Sequence, residues 1–202
     1  ALLWFAEQKD KSLIQPLVDV FYFVKMPREW DWAIGQLSGK SFGRDWSRWM
    51  EWLGQQALPL HPAYPQFKQA LFGKIDPSFR RFLDPRHQST IRLDEIVWGG
   101  VKKDGIPALD NPKMIPATSA DYLHDDDEVF GLAVNGEVHA YPLRILDWHE
   151  MLNIEIGGVS ISLSYCTLCG AAIPYEGSIG DTTFTFGSSG LLYRSNKLMY
   201  DR

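Results

Sequence analysis

The sequence predicts an α+β protein: a mainly antiparallel, barrel-like or sandwich-like β domain with one inserted helix, preceded by a small helical extension. In the first third, apolar residues recur at helical spacings of three and four. Beyond residue 128, short alternating runs are separated by Asn-Gly and Gly-rich segments, which is typical of hairpins. Strands do not alternate regularly with long helices, which disfavours a doubly wound sheet. We therefore predict a helical extension over residues 1–84 and a β-rich domain over residues 85–202.

The composition is that of a folded protein with no nucleic-acid or membrane signature. The chain has 202 residues, 45% of them hydrophobic, which is enough to bury a substantial core. Its net charge is -5 and its Lys and Arg residues are scattered, so we predict no nucleic-acid partner, because phosphate binding needs clustered cations. The apolar stretch Leu13–Val24 contains Pro16 and Asp19 and is shorter than the roughly 20 residues that span a bilayer. We therefore expect no membrane span in this chain.

The helical extension carries short amphipathic segments. In the first of them, Trp46, Trp49 and Leu53 lie on one face of a predicted helix. Prolines then interrupt the pattern, and shorter apolar sets follow within Phe67–Phe72 and Phe79–Leu83. We expect the tryptophans to pack between short helices, and the alternative use is a carbohydrate platform.

A hairpin is predicted at the start of the alternating region. Residues 129–134 and 137–141 are strand-like. The Asn135-Gly136 dipeptide between them tolerates the positive φ angles of a type I′ turn. We therefore expect these two runs to pair as antiparallel strands.

A helix and a strand then lead to the two cysteines. Pro142 opens the helix, whose apolar spacing continues to Leu152, before Gly157-Gly158. From Val159 to Tyr165, apolar residues alternate with serines, which predicts a strand with one buried face. Further strands joined by Gly-rich turns are predicted at residues 171–175, 182–186, 191–193 and 197–200.

The Cys166-Thr167-Leu168-Cys169-Gly170 turn after this strand is the best candidate for chemistry. Cys166 and Cys169 can form a disulfide or redox-active dithiol, share a metal, or simply pack as reduced side chains. In thioredoxin-like enzymes such a pair opens a long helix that lowers the thiol pKa. Here Pro174 follows closely and cannot lie inside a helix without the loss of a hydrogen bond, so a thioredoxin fold is disfavoured. All three uses of the thiols stay open at this point.

The same spacing is that of a zinc knuckle, and a structural zinc needs four ligands. The chain has only two cysteines, so a metal site must recruit histidines or carboxylates. The candidate ligands are Cys166, Cys169 and His149, with His139 as a further donor, and thiolates favour Cu(I) or Zn(II). The simpler use of His139 is a hydrogen-bonded, half-buried position in its strand. His149 and Glu150 are neighbours that point to different sides of a helix, which disfavours a shared acid–base role.

The β-rich region also carries a series of ordered motifs. They are Tyr141-Pro142-Leu143-Arg144-Ile145-Leu146, Trp148-His149-Glu150, Asn153, Tyr165-Cys166-Thr167-Leu168-Cys169-Gly170, Phe186-Gly187, Gly190-Leu191-Leu192-Tyr193 and Met199-Tyr200-Asp201-Arg202. Over about residues 93–202, this series resembles the bacterial and archaeal family known as domain of unknown function 3179 (DUF3179). The resemblance implies a fold and a site but no reaction.

The resemblance implies a location and further strands, and the chain differs from the family pattern at one position. Family members are similar to exported or envelope-anchored proteins, so we expect an extracytoplasmic location. The family pattern normally continues past the final Tyr-Asp-Arg motif, which implies further strands there. Members often have Pro where this chain has Thr167, and the change keeps both thiols.

Two functional hypotheses follow. In the first, the protein is an extracytoplasmic domain whose cysteine pair is a thiol–disulfide or metal-handling site for Cu or Zn. In the second, it is a non-catalytic binding or structural subunit with one stabilising disulfide. The helical extension then docks a partner protein or a neighbouring subunit.

Overall fold

The computed structural model describes residues 2–194 and 196–202 and divides into two compact units, one ending at Glu95 and one beginning at Ile96. Helices build the first unit, and mostly antiparallel sheets build the second. The predicted α+β class is therefore confirmed. The described strands form separate sheets and do not close into a barrel.

The first unit is a set of short helices around an aromatic core. Asp45 caps one of them by accepting a hydrogen bond from the Arg48 amide. Trp30 and Trp49 are buried in the core and meet edge to face, with ring centroids 5.7 Å apart. The helices are α1 (Leu2–Gln8), α2 (Ile14–Phe21), α3 (Trp30–Ser38), α4 (Trp46–Gly54), α5 (Tyr64–Phe72) and α6 (Phe79–Phe82).

A buried polar cluster joins α2 to α5. The Tyr64 hydroxyl donates to Asp19 Oδ2 (2.6 Å), and the Lys68 ammonium donates to the Tyr64 oxygen (3.1 Å). Burial lowers the pKa of Lys68 and raises that of Asp19, because it penalises the charged form of each. The two opposite charges lie 3.8 Å apart and compensate each other, so this cluster has a structural explanation.

The helical unit also contains an apolar cavity of about 270 Å³. Its walls come from α1, α2, α3 and α5, and include Leu17, Val20, Phe21 and Trp30. Its lining is almost entirely apolar, and the space opens to solvent on one side.

None of the helices in the described part of the chain is both long and apolar enough to cross a bilayer. The predicted lack of a nucleic-acid partner stays a prediction. So does the docking of a partner protein or neighbouring subunit on the helical extension.

The second unit consists of eleven described strands, one α-helix and a short 3-10 helix at Ala117–Ser119. The elements are β1 (Ile96–Trp98), β2 (Leu109–Asp110), β3 (Val129–Val134), β4 (Glu137–Pro142), α7 (Leu143–His149), β5 (Met151–Ile156), β6 (Val159–Cys166), β7 (Ala171–Glu176), β8 (Ser178–Ile179), β9 (Thr182–Thr183), β10 (Phe186–Tyr193) and β11 (Asn196–Asp201). Their sheets have the strand orders β2-β5-β6-β7, β1-β10-β11, β3-β4 and β8-β9. All pairs are antiparallel except β2 with β5.

Three predicted strands of this unit are confirmed almost to the residue. The β3–β4 hairpin turns at Asn135-Gly136, and both turn residues have positive φ angles. Strand β6 places Ile161, Leu163 and Tyr165 in one apolar core, as the alternation predicted.

Two predicted elements were wrong. The helix predicted to continue toward Gly157 ends at His149, because Glu150 adopts a left-handed φ of 52° and the next six residues pair with β6 as strand β5. The glycine-rich segment 187–190, expected as a turn, lies inside strand β10. A register shift between Ser188 and Leu192 accommodates it there.

Candidate functional site

The two cysteines lie at the tip of the β6–β7 hairpin and are joined by a disulfide. Cys166 is the last residue of β6 and pairs with Ala171, the first residue of β7. Between them, the Cys169 amide donates to the Cys166 carbonyl oxygen (3.1 Å), and Gly170 takes a left-handed φ of 60°. A strand follows Cys169 where a thioredoxin-like enzyme has a helix, so this is a different setting for the same cysteine spacing.

The two sulfur-bearing residues differ in exposure. Cys166 is 2% exposed, whereas Cys169 is half-buried. The residues between them are exposed, and Leu168 retains 75% of its accessible surface. A molecule approaching the hairpin tip therefore reaches Cys169 before Cys166.

The buried side of the hairpin is polar. Tyr165 lies on the apolar face of β6, so Cys166 and the serines before it lie on the opposite face. On that face the Ser162 hydroxyl donates to Asn153 Oδ1 (2.9 Å). The Asn153 amide in turn donates to the carbonyl oxygen of Phe186 in β10 (2.8 Å). The cysteine-bearing face of the four-stranded sheet is thus tied to the sheet that contains β10 and β11.

A buried cation lies at the same end of β6 as the disulfide. Lys197 in β11 has a side chain that is 3% exposed, and its ammonium donates to the backbone oxygen of Glu150 (3.0 Å). That oxygen also accepts the Tyr165 amide (2.8 Å), which directly precedes Cys166. Burial lowers the pKa of Lys197, and the nearby Glu150 carboxylate, 3.4 Å away, opposes this shift.

The histidines predicted as metal ligands make other contacts. His149 Nδ1 lies 2.9 Å from the Pro107 carbonyl oxygen, and because that oxygen only accepts, Nδ1 carries the hydrogen. His139 uses both ring nitrogens, one with the Tyr141 hydroxyl (2.9 Å) and the other with Glu137 (2.7 Å). In the described part of the chain, no three His, Cys, Asp or Glu side chains gather as a metal-binding group. The structure brings the two cysteines together, and the metal site stays a prediction.

Sequence reasoning missed the role of two polar residues beside the hairpin. Lys197 was predicted only as part of a last strand, and Asn153 only as part of a motif. Both residues stand in strand runs that contain other polar residues, Asn196 and Asp201 beside Lys197 and Glu155 beside Asn153, so the sequence offers little signal that these two are buried. Which partners they find depends on sheet packing between distant segments.

Fold and site together define an α+β protein whose β-rich unit presents a disulfide-bonded Cys-x-x-Cys hairpin. Residues 103–202, just under half of the chain, match the model of the family described as "Protein of unknown function (DUF3179)". The predicted resemblance is confirmed over these residues. No curated protein and no solved structure matches the chain.

Proposed function

We propose that the Cys166–Cys169 pair is a reversible thiol–disulfide exchange centre in an extracytoplasmic domain. The observation that carries the proposal is the difference in exposure at the hairpin tip, where Cys169 is half-buried and Cys166 is 2% exposed. Exchange requires an accessible sulfur for the incoming thiolate and a second sulfur that leaves. One sulfur of each kind is present, three residues apart.

The exchange proceeds in two steps. A thiolate of a dithiol substrate attacks Cys169 Sγ, a mixed disulfide forms, and the bond to Cys166 breaks with its electron pair on Cys166 Sγ. The second substrate thiolate then attacks its own partner sulfur in the mixed disulfide and releases Cys169 as a thiolate. The substrate ends as a disulfide, and its two electrons reside on the cysteine pair.

The hairpin setting favours exchange over a purely structural crosslink. The disulfide closes a loop with a sequence separation of only 3, and chain-entropy arguments give such a loop about 2 kcal/mol of stabilisation. Strand pairing between Cys166 and Ala171 already holds the two ends together, which reduces that contribution further. We therefore expect the reduced domain to stay folded, as a reversible centre requires.

An extracytoplasmic location is proposed with the function. Disulfides persist in oxidising compartments and are rare in the cytosol, where the thiol pools keep them reduced. Acid quenching of cells followed by alkylation tests this part. We expect the pair to be trapped largely oxidised in cells, and a fully reduced pair would contradict the proposed location.

The redox equilibrium of the purified chain tests the exchange function. Samples are equilibrated in glutathione buffers of graded ratio, quenched with acid, and alkylated with a maleimide that shifts gel mobility. We expect one two-electron transition, with the same circular dichroism at both ends. The Cys166→Ser/Cys169→Ser double variant has no thiol to label and shows where the unlabelled protein migrates on the gel.

Two outcomes of this titration would contradict exchange. A disulfide that stays oxidised until denaturant is added would make it a structural crosslink. A preparation that carries stoichiometric copper or zinc by elemental analysis would favour the metal-handling alternative, with the thiolates as ligands.

A further inference from the structure

The Lys197 ammonium is a buried charge that lies at the disulfide-bearing end of β6. Its side chain is 3% exposed, and the Glu150 carboxylate that faces it is 14% exposed. Buried ion pairs are costly to desolvate, and apolar residues of similar volume often replace them without loss of stability. Glu150 compensates the charge of Lys197 as Asp19 does for Lys68, and what distinguishes Lys197 is its position beside the strand that carries Cys166.

A shared hydrogen-bond acceptor connects Lys197 to the residue that precedes Cys166. The backbone oxygen of Glu150 accepts hydrogen bonds from the Lys197 ammonium and from the Tyr165 amide. Tyr165 is bonded directly to Cys166, so one carbonyl oxygen connects the buried cation to the residue before the cysteine. Strands β11 and β6 also contact each other.

The sheet arrangement places Cys166 and Lys197 on the same side. Tyr165 points into the apolar core on one face of β6, so Cys166 points to the other face. That face is tied to β10 through Asn153, and Lys197 extends from β11, the neighbour of β10. A positive charge close to a cysteine, in an interior of low dielectric constant, favours the thiolate over the uncharged disulfide sulfur.

We propose that Lys197 is a positioning residue that stabilises the Cys166 thiolate released when Cys169 is attacked, and so makes the pair easier to reduce. This inference rests on the exchange function proposed above. The electron pair of the broken sulfur–sulfur bond goes to Cys166 Sγ, and the lysine charge offsets the negative charge that forms there. No proton has to leave Lys197 in this step.

Glutathione equilibrium constants of lysine variants test the proposal. We expect Lys197→Met to shift the equilibrium toward the disulfide by about tenfold, equivalent to about 30 mV for a two-electron couple. Lys197→Arg keeps the charge and is expected to restore most of the wild-type value. Lys103→Met removes a cation that is paired with Asp104 and Tyr200 in the same unit, and is expected to leave the equilibrium unchanged.

A second variant keeps the proposal testable if Lys197→Met fails to fold. Glu150→Gln removes the negative partner and keeps the ammonium, so it is expected to shift the equilibrium toward the dithiol. It is measured at pH 6, because a lower pH favours the protonated lysine. A structural role for the pair predicts no such change of sign between the two variants.

The outcomes separate this inference from the function on which it rests. If the wild-type disulfide does not equilibrate with glutathione at all, the exchange function fails. If the wild type equilibrates but Lys197→Met and Glu150→Gln leave its constant unchanged, the exchange function stands and the role of Lys197 is overturned.

Discussion

The Glu137 carboxylate accepts a hydrogen bond from the Gly157 amide, with 2.7 Å between Oε2 and the nitrogen. Asn135 donates from its side chain to the carbonyl oxygen of the same glycine (2.9 Å). Both backbone groups of Gly157 are thus held by the first hairpin, β3–β4. Gly157 begins the turn between β5 and β6, so this contact fixes the end of β6 opposite to the disulfide.

Gly157 and Gly158 are a matched pair for testing this contact. Both have positive φ angles, which an alanine adopts at a cost of about 1–2 kcal/mol. A Cβ at Gly157 would also lie 2.4 Å from the Val134 oxygen, whereas a Cβ at Gly158 would meet nothing within 4 Å. We expect Gly157→Ala to lower the free energy of unfolding in urea clearly more than Gly158→Ala. Equal losses would show that the close contact with Val134 is unimportant.

The Glu137 contact also predicts a pH dependence. The Gly157 amide and then His139 hold the pKa of this carboxyl below its ordinary 4.5. A lowered folded-state pKa stabilises the fold above the unfolded value, and the stabilisation is lost as the pH falls through the folded value. We expect Glu137→Gln to be destabilising at pH 7 and this difference to shrink below pH 4.5, as measured by urea unfolding. Glu155→Gln on β5 is the control for loss of one carboxylate, and a difference that grows in acid would refute the assignment.

Asn153 is expected to contribute more stability than its burial alone suggests. Its side chain exchanges hydrogen bonds with Asp110, Ser162 and both backbone groups of Phe186. We expect Asn153→Ala to lower the free energy of unfolding by about 3 kcal/mol, because several buried groups lose their partner. Ser162→Ala removes only one of these bonds, and about 1 kcal/mol is expected. Similar losses for both variants would show that Asn153 does not organise this interface.

The cavity of the helical unit is expected to bind small apolar molecules. Spaces lined by aliphatic and aromatic side chains accept benzene in other proteins, and this one is lined by such side chains. We expect benzene to shift the methyl resonances of Leu17 and Val20, both of which line the cavity. Val20→Phe fills part of the space and should abolish the shifts at Leu17. Shifts that persist in this variant would place the benzene elsewhere.

Local signals explain which elements the sequence predicted. The Asn135-Gly136 turn and the apolar–serine alternation of β6 are set by neighbouring residues, and both elements were confirmed. The helix end was wrong because Leu152 fits a helical spacing, although its backbone pairs with Leu163 in the sheet. Such pairing is a tertiary effect that outweighs local pattern.

In the candidate site, too, the sequence predicted the local feature and missed the contacts between distant segments. The Cys166–Cys169 pair was recognisable because its two members are close in sequence. Lys197 reaches Glu150 across 47 positions of the chain, and Asn153 reaches Phe186 across 33. Contacts of that range depend on how the sheets pack, which no local motif encodes.

Reaction rates of the two single-cysteine variants test the exchange centre most directly. Cys166→Ser leaves the half-buried Cys169, and Cys169→Ser leaves Cys166, which is 2% exposed. Each reduced variant is mixed with oxidised glutathione, and the mixed disulfide is followed by mass spectrometry. We expect the variant that retains Cys169 to react at least about tenfold faster, because access limits exchange. Equal rates, a faster reaction at Cys166, or no mixed disulfide with either variant would contradict the account.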